Sequence, residues 1–243
     1  RSVQAVAPRA RRAGVNVIAF TTDRNAAGDN VYIMGFLPEQ QVARVVGFAA
    51  SRGIDRHALL GPDNAYGRAV AEALRSAAQA FQGVVTQVEL YDPAAEDYSP
   101  IVRRLADYEA RQRALEEQRR VLEAREDEVS RRALKRLEQM DTLGDVTFQS
   151  VMLPDDGTRL RAAAALLPYF DIDPKRVKVL GTMRWDDETG LGDEPALVGA
   201  WYAAPGPGLH GTFVQRYRAA YGEAPERIAS LGYDAVALAG ALA

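Results

Sequence analysis

The sequence predicts an α/β fold, with parallel sheet covered by helices on both faces. Three observations lead there. Short apolar runs of strand length alternate with helical segments, the loops joining them are short, and 243 residues with 47% hydrophobic and 26% charged residues suffice for a buried core. That length allows one or two domains.

Residues 2–13 read as a helix closed by Gly14, a glycine just past a helix end. Residues 15–20 form a short apolar run of strand length, followed by the polar loop Thr21-Thr22-Asp23-Arg24-Asn25. Residues 31–36 are a second strand. Pro38 opens a helix to Arg52, with Gly53 as its stop. Residues 57–60 are a strand, 61–65 a loop, 66–80 a helix ending before Gly83, and 84–91 alternates as a strand does. A further helix starts at Ser99 and runs to about Tyr108. Residues 146–153 read as strand, 158–170 as helix, 177–180 as strand and 197–203 as strand. Residues 186–194 are taken as an acidic, solvated loop, and Pro205-Gly206-Pro207-Gly208 as a break. The chain closes with a helix over 212–221 and an apolar, nearly all-buried helix over 229–243.

Residues 109–141 depart from this rhythm. Neither Gly nor Pro occurs between Pro100 and Gly144, and from Glu109 to Glu138 there are nine basic and eight acidic residues. Tyr108, Leu115, Leu122 and Val129 recur seven apart, a thin apolar seam. A single straight helix of ~40 residues would extend ~60 Å and could not return to the next strand. An antiparallel helical hairpin turning near 126–130 keeps both ends together, against the plainer reading of one solvated surface helix. A projecting hairpin is more often an interaction device than a catalytic one.

Composition excludes several functions. A net charge of −3 gives no electrostatic case for nucleic acid, and 27 Arg against 3 Lys reads as codon bias. Without cysteine there is no disulfide, thiolate metal site or cysteine nucleophile. Two histidines, His57 and His210, leave little for a metal cluster or a Ser-His-Asp machine; His57, opening a strand, reads as structural. Gly206-Pro207-Gly208-Leu209-His210-Gly211 has the G-x-G-x-x-G spelling, but its prolines and the missing second βα unit make it a turn before a helix. The acidic cluster at 186–194 fits no EF-hand spacing. No nucleophile elbow, phosphate loop or H-E-x-x-H occurs, so no enzyme activity, cofactor or metal is expected.

The candidate binding residues lie in loops that follow strands, where open parallel sheets bind ligands. Thr21, Thr22 and Asp23 follow the first strand; Asp63, Asn64 and Tyr66 another; Asp155 and Asp156 a third; Thr182, Arg184 and Trp185 a fourth. Hydroxyls and helix N-termini suit a carboxylate, an aspartate an ammonium, and aromatics the remainder of a small zwitterion. For Asp155, Asp156 and Thr158, capping of the following helix is an equally good reading.

The order of these pieces resembles the type I periplasmic binding proteins of the leucine/isoleucine/valine-binding family. The resemblance is carried by residues 13–22, Asp63-Asn64-Ala65-Tyr66-Gly67-Arg68, Asp97-Tyr98-Ser99 and Tyr233-Asp234-Ala235, and covers nearly everything but 109–141. It implies two lobes, one from 1–34 with 205–243 and the other from 35–204. The first would be incomplete, lacking the family's opening βαβαβ stretch, which leaves the apolar faces of 15–20 and 229–243 open and implies a protein longer than the sequence. It also implies that Ser2, Thr21, Thr22 and Asp23 face a ligand carboxylate, that Tyr66 lines the cleft, and that Asp155 falls near a second cleft tyrosine. Where amino-acid binders of the family often place a glutamate for the ammonium, this chain has Gly181-Thr182-Met183-Arg184-Trp185.

The function implied is that of a periplasmic solute-binding protein of an ABC-type uptake system, closing two lobes on a small amino-acid-like ligand and presenting it to a membrane permease. An alternative is an envelope lipoprotein that activates a penicillin-binding protein by protein–protein contact. The run 167–174, the replaced acid and the charged hairpin resemble that branch, and its lipid anchor would lie in the absent N-terminal segment.

Overall fold

The computed structural model describes residues 2–242 except Asp23, Glu126 and Asp187. The strands are β1 (Val17–Phe20), β2 (Val31–Met34), β3 (Arg56–Pro62), β4 (Val84–Tyr91), β5 (Ser150–Met152), β6 (Lys178–Gly181) and β7 (Trp201–Tyr202). The helices are α1 (Ser2–Ala13), α2 (Pro38–Ala50), α3 (Ala65–Ala80), α4 (Ser99–Leu105), α5 (Tyr108–Glu123), α6 (Glu128–Leu137), α7 (Gly157–Tyr169), α8 (Pro207–Tyr221) and α9 (Ala229–Leu242). The chain divides into two compact units, 1–40 with 204–243 and 41–203.

The first unit holds the parallel pair β1–β2, in register from Val17↔Val31 to Phe20↔Met34. α1 ends at Gly14, whose φ of +64° is easily reached only without a side chain. Ala7 of α1 packs with Ala19 and Val31 in a small apolar cluster. Two sequence expectations change here. The 205–208 segment does not precede a helix as a free turn: Pro207 is itself the first residue of α8, where its missing N–H costs nothing. The closing helix α9 is not nearly all-buried. Among its described residues only Ala235 is buried, while Val236 is 74% and Leu238 41% exposed. A two-stranded sheet offers too little apolar area to cover such a helix, and Phe20 and Val15 are exposed for the same reason.

The second unit is a five-stranded parallel sheet in the order β4-β3-β5-β6-β7. Alternate residues of each strand enter different cores. Leu59, Met152 and Leu180 pack with Val42, Val46, Val70 and Leu74 of α2 and α3. Ala58, Leu60, Val151, Leu153 and Val179 pack with Ile101, Val102, Leu160 and Leu167 of α4 and α7. Burial on both faces explains why these strands read as unbroken apolar runs. His57 is buried, and its Nδ1 lies 2.7 Å from Ser150 Oγ, tying β3 to β5. Burial pushes its pKa down, against the opposing pull of Asp55, so it is a structural group of the core. The strand expected over 197–203 pairs only at 201–202. Gly199 (φ +73°) turns the chain, and Ala196 and Leu197 serve the core from outside the sheet.

The charged segment folds as a helical hairpin. Asp107 (φ +47°) separates α4 from α5, and Asp127 caps α6 by accepting from the Ser130 amide at 2.8 Å. The Leu143 amide donates to the Arg111 carbonyl at 3.1 Å, so the two ends return to one place. Arg111 anchors that root. Its Nη2 donates to Gly144 O at 2.8 Å and to Asp171 Oδ2 at 3.2 Å, and its Nη1 donates to Ala106 O at 3.3 Å. Leu115 and Leu122 of the expected seam are buried, but Val129 is exposed, because the turn precedes it.

Candidate functional site

In the five-stranded sheet the chain goes from β3 to β4 on one side and then returns to place β5 on the other side of β3. The strand order therefore reverses between β3 and β5, and the crevice outside their carboxyl ends is where such sheets bind ligands. The loops meeting there are those after β3, β5 and β6. They approach closely: a Cβ on Gly61 would lie 2.8 Å from Pro154 Cγ, and one on Gly67 would strike the Pro62 carbonyl oxygen.

Asn64 caps α3 by accepting from the Gly67 amide at 2.9 Å, which fixes the start of the helix carrying Tyr66. The Tyr66 hydroxyl donates to Thr182 Oγ1 at 2.9 Å, with Thr182 fully buried at the end of β6. The Arg184 guanidinium carbon lies 4.2 Å from the Tyr66 ring centroid, and the same side chain pairs with Asp156. Burial raises the Tyr66 pKa, against the lowering effects of the Thr182 bond and the Arg184 charge, so the phenol remains a donor. The loop after β6 is held from behind by Gln41, whose Oε1 accepts from the Met183 amide at 2.9 Å.

Asp155 is a structural anchor. Its carboxylate accepts from Tyr91 Oη at 2.6 Å, from Arg159 Nε and Nη2 at 2.9 and 2.8 Å, and from the Asp156 amide at 2.9 Å. Burial alone would raise its pKa, but these bonds outweigh it and hold the carboxyl below its ordinary range. Trp185 is likewise buried. Its Nε1 donates to the Asp155 carbonyl at 3.1 Å, and its ring covers Gly181, where a Cβ would collide with it. Neither Asp155 nor Asp156 caps α7 with its side chain. Glu188 does so from a distance, accepting from the Gly157 amide at 2.7 Å and pairing with Arg161 at 2.9 Å, while Glu194 pairs with Arg161 at 3.2 Å. The acidic stretch at 186–194 is therefore solvated only in part: Thr189, Gly190, Gly192 and Asp193 are exposed, while Glu188 and Glu194 strap it to α7.

Of the residues singled out in the sequence, Tyr66, Asp155, Thr182 and Trp185 converge at this crevice of the second unit. Thr21 and Thr22 follow β1 in the first unit, Thr21 half-buried and Thr22 exposed. Asp23 lies outside the described residues, as does the side chain of Ser2. The sequence reading missed Tyr91, Arg159 and Gln41. The four-residue spacing of Asp155 and Arg159 was a usable signal; Tyr91 and Gln41, far away in the chain, left none. The first unit also has a cleft of about 700 Å³, lined among others by His210, Phe213, Arg216 and Tyr233, in which Arg216 Nη1 donates to the Tyr233 hydroxyl at 2.7 Å.

Known proteins share this fold. Among solved structures, a solute-binding protein of an ABC transporter from Rhodopseudomonas palustris BisB5, in complex with 3,4-dihydroxybenzoic acid, is 19% identical with a TM-score of 0.59; the match covers 98% of this chain and 58% of that one. A second R. palustris solute-binding protein, in complex with benzoate, is 17% identical with a TM-score of 0.53, covering 96% and 56%. A leucine-binding protein from Thermotoga maritima is 14% identical with a TM-score of 0.57, covering 96% and 58%. These likenesses show the fold, that of the type I periplasmic binding proteins, and the chain spans under three-fifths of each relative's length. No curated protein sequence matches it. A profile of the periplasmic binding proteins matches residues 2–243, and the chain belongs to that family.

Proposed function

We propose that the protein is the solute-binding component of an ABC-type uptake system, acting outside the cytoplasm and delivering a small carboxylate-bearing molecule, an amino acid or another organic acid, to a membrane permease. The observation that carries this reading is the cluster of Tyr66, Thr182 and Arg184 at the strand-order reversal of the second unit. It offers an aromatic face, a half-buried hydroxyl pair and a partly exposed cation, the combination that orients a small polar solute. The solved relatives with bound 3,4-dihydroxybenzoic acid and benzoate, and the leucine-binding one, add support from the family. Ser2, Thr21, Thr22 and Asp23 of the sequence-based site are proposed as further contacts, whereas Asp155 and Trp185 position the loops rather than touch the solute. Calorimetric titration of the full-length protein against amino acids and aromatic acids tests the reading. Saturable binding at micromolar affinity or tighter is expected, weakened at least about tenfold by Tyr66→Ala, since one lost anchor of about 1.4 kcal/mol is tenfold. Binding that ignores Tyr66→Ala and Thr22→Ala would place the site elsewhere.

The second reading, an envelope protein that activates a penicillin-binding protein by contact, draws on the α5–α6 hairpin, which solute binding does not need. Removing the hairpin should abolish partner binding under that reading and leave solute binding intact under the first.

A further inference from the structure

We propose that Arg184 is the exchangeable cation of this site: it receives the carboxylate of an organic acid that carries no ammonium, while Asp156 passes from Arg184 to Arg159. The inference rests on the solute-binding reading and narrows its ligand class.

The Arg184 side chain is 41% exposed, and its guanidinium stands over the Tyr66 ring. A guanidinium positioned by an aromatic ring keeps in-plane N–H groups for a carboxylate, which it binds two-pronged. In this structure the carboxylate on Arg184 is that of Asp156. Asp156 has a second cation, because its Oδ1 lies 3.5 Å from Arg159 Nη2. An incoming carboxylate can therefore replace Asp156 on Arg184 without stranding either acid. Pairs this exposed contribute little on their own, so the exchange meets little resistance.

Among the described residues an ammonium meets no such ready-made exchange. Among the described residues of these loops each carboxylate already receives a donor: Asp63 from Arg68, Asp155 from Tyr91 and Arg159, Asp156 from Arg184, Asp186 from Tyr202, Glu188 from Arg161. Asp155, the one with a nearly inaccessible side chain, is also the most fully committed. A ligand ammonium would have to share or displace one of these donors, an arginine at each of these acids but Asp186, whose donor is the Tyr202 hydroxyl; a ligand carboxylate only trades places with Asp156.

The test uses the full-length protein and paired probes: benzoate against its uncharged isostere benzamide, and 4-methylpentanoate against leucine, which differs by the ammonium. Titrations are repeated with Arg184→Gln, Arg184→Lys and Asp156→Asn, each first checked for an unchanged thermal melt. The proposal expects an acid to bind, benzamide to fail, 4-methylpentanoate to match or exceed leucine, Arg184→Gln to weaken the acid about 30-fold or more, and Arg184→Lys to fall between. Asp156→Asn should act in the opposite direction and tighten the acid severalfold, since it removes the competitor. Leucine binding far better than 4-methylpentanoate, or an acid indifferent to Arg184→Gln, overturns the proposal and leaves the solute-binding reading standing. Failure of every probe and of a wider amino-acid panel overturns both.

Discussion

Asp155 shows how one residue can tie three elements together. It joins β4 through Tyr91, α7 through Arg159, and the loop after β6 through Trp185 on its carbonyl. Its pKa is depressed in the folded protein, so its stabilisation is complete above the unfolded carboxyl value of about 4 and is lost as pH falls through the folded value. Asp155→Asn should lower stability at pH 7 by about 2 kcal/mol, the cost of leaving a buried, hydrogen-bonded charge partner short after discounting for the partial exposure of Arg159. The same variant should have a flatter acid limb than the wild type. Urea denaturation at pH 7 and pH 3 measures both; equal acid limbs would contradict the assignment. Gly67 is a second sensitive point, because any Cβ there meets a backbone oxygen that cannot swing away. Gly67→Ala should cost about 1–3 kcal/mol, seen as a lower urea midpoint at unchanged slope. At this scale the sequence showed which residue types gather after strands. It did not show that Asp155 and Trp185 are consumed by the scaffold, because Tyr91 lies far from Asp155 in the chain and the Trp185 indole reaches the also distant Asp155 carbonyl.

At the scale of elements, the alternation of strand and helix was readable because both faces of the central strands are buried, which makes β3, β5 and β6 largely apolar runs, while the edge strand β4 alternates. The helical hairpin was readable for a steric reason: so long a helix must fold back for the chain to continue. What was not readable was the length of β5 and β7. Pairing of these short strands depends on neighbours distant in sequence, and apolar residues such as Phe148 and Leu197 join the core from loops. The hairpin's attachment rests on Arg111, a buried cation satisfied mainly by carbonyls. Arg111→Met removes those donors and should loosen the root at a cost of about 2–3 kcal/mol. Amide hydrogen exchange should then quicken across α5 and α6 while β3 and β5 stay protected. Quickening throughout the sheet would mean that the hairpin is integral to the core rather than attached to it.

At the scale of the molecule, the two units differ in how well they cover their apolar surface. The second closes two cores around five strands, whereas the first displays Phe20, Val236 and Leu238 beside a two-stranded sheet. The resemblance to periplasmic binding proteins foretold that the faces of 15–20 and 229–243 would be open; the apolar pattern of α9 alone pointed the other way, toward burial. Helix amphipathicity reports what a helix would bury, not whether a surface is there to receive it. The binding function proposed for the chain depends on the crevice of the second unit, and amide hydrogen exchange of the full-length protein with and without a titrated ligand addresses it most directly. The account predicts slowed exchange concentrated at residues 63–68, 155–158 and 182–186, the loops after β3, β5 and β6. Protection confined to the cleft lined by His210 and Arg216, with those three loops unchanged, would contradict it.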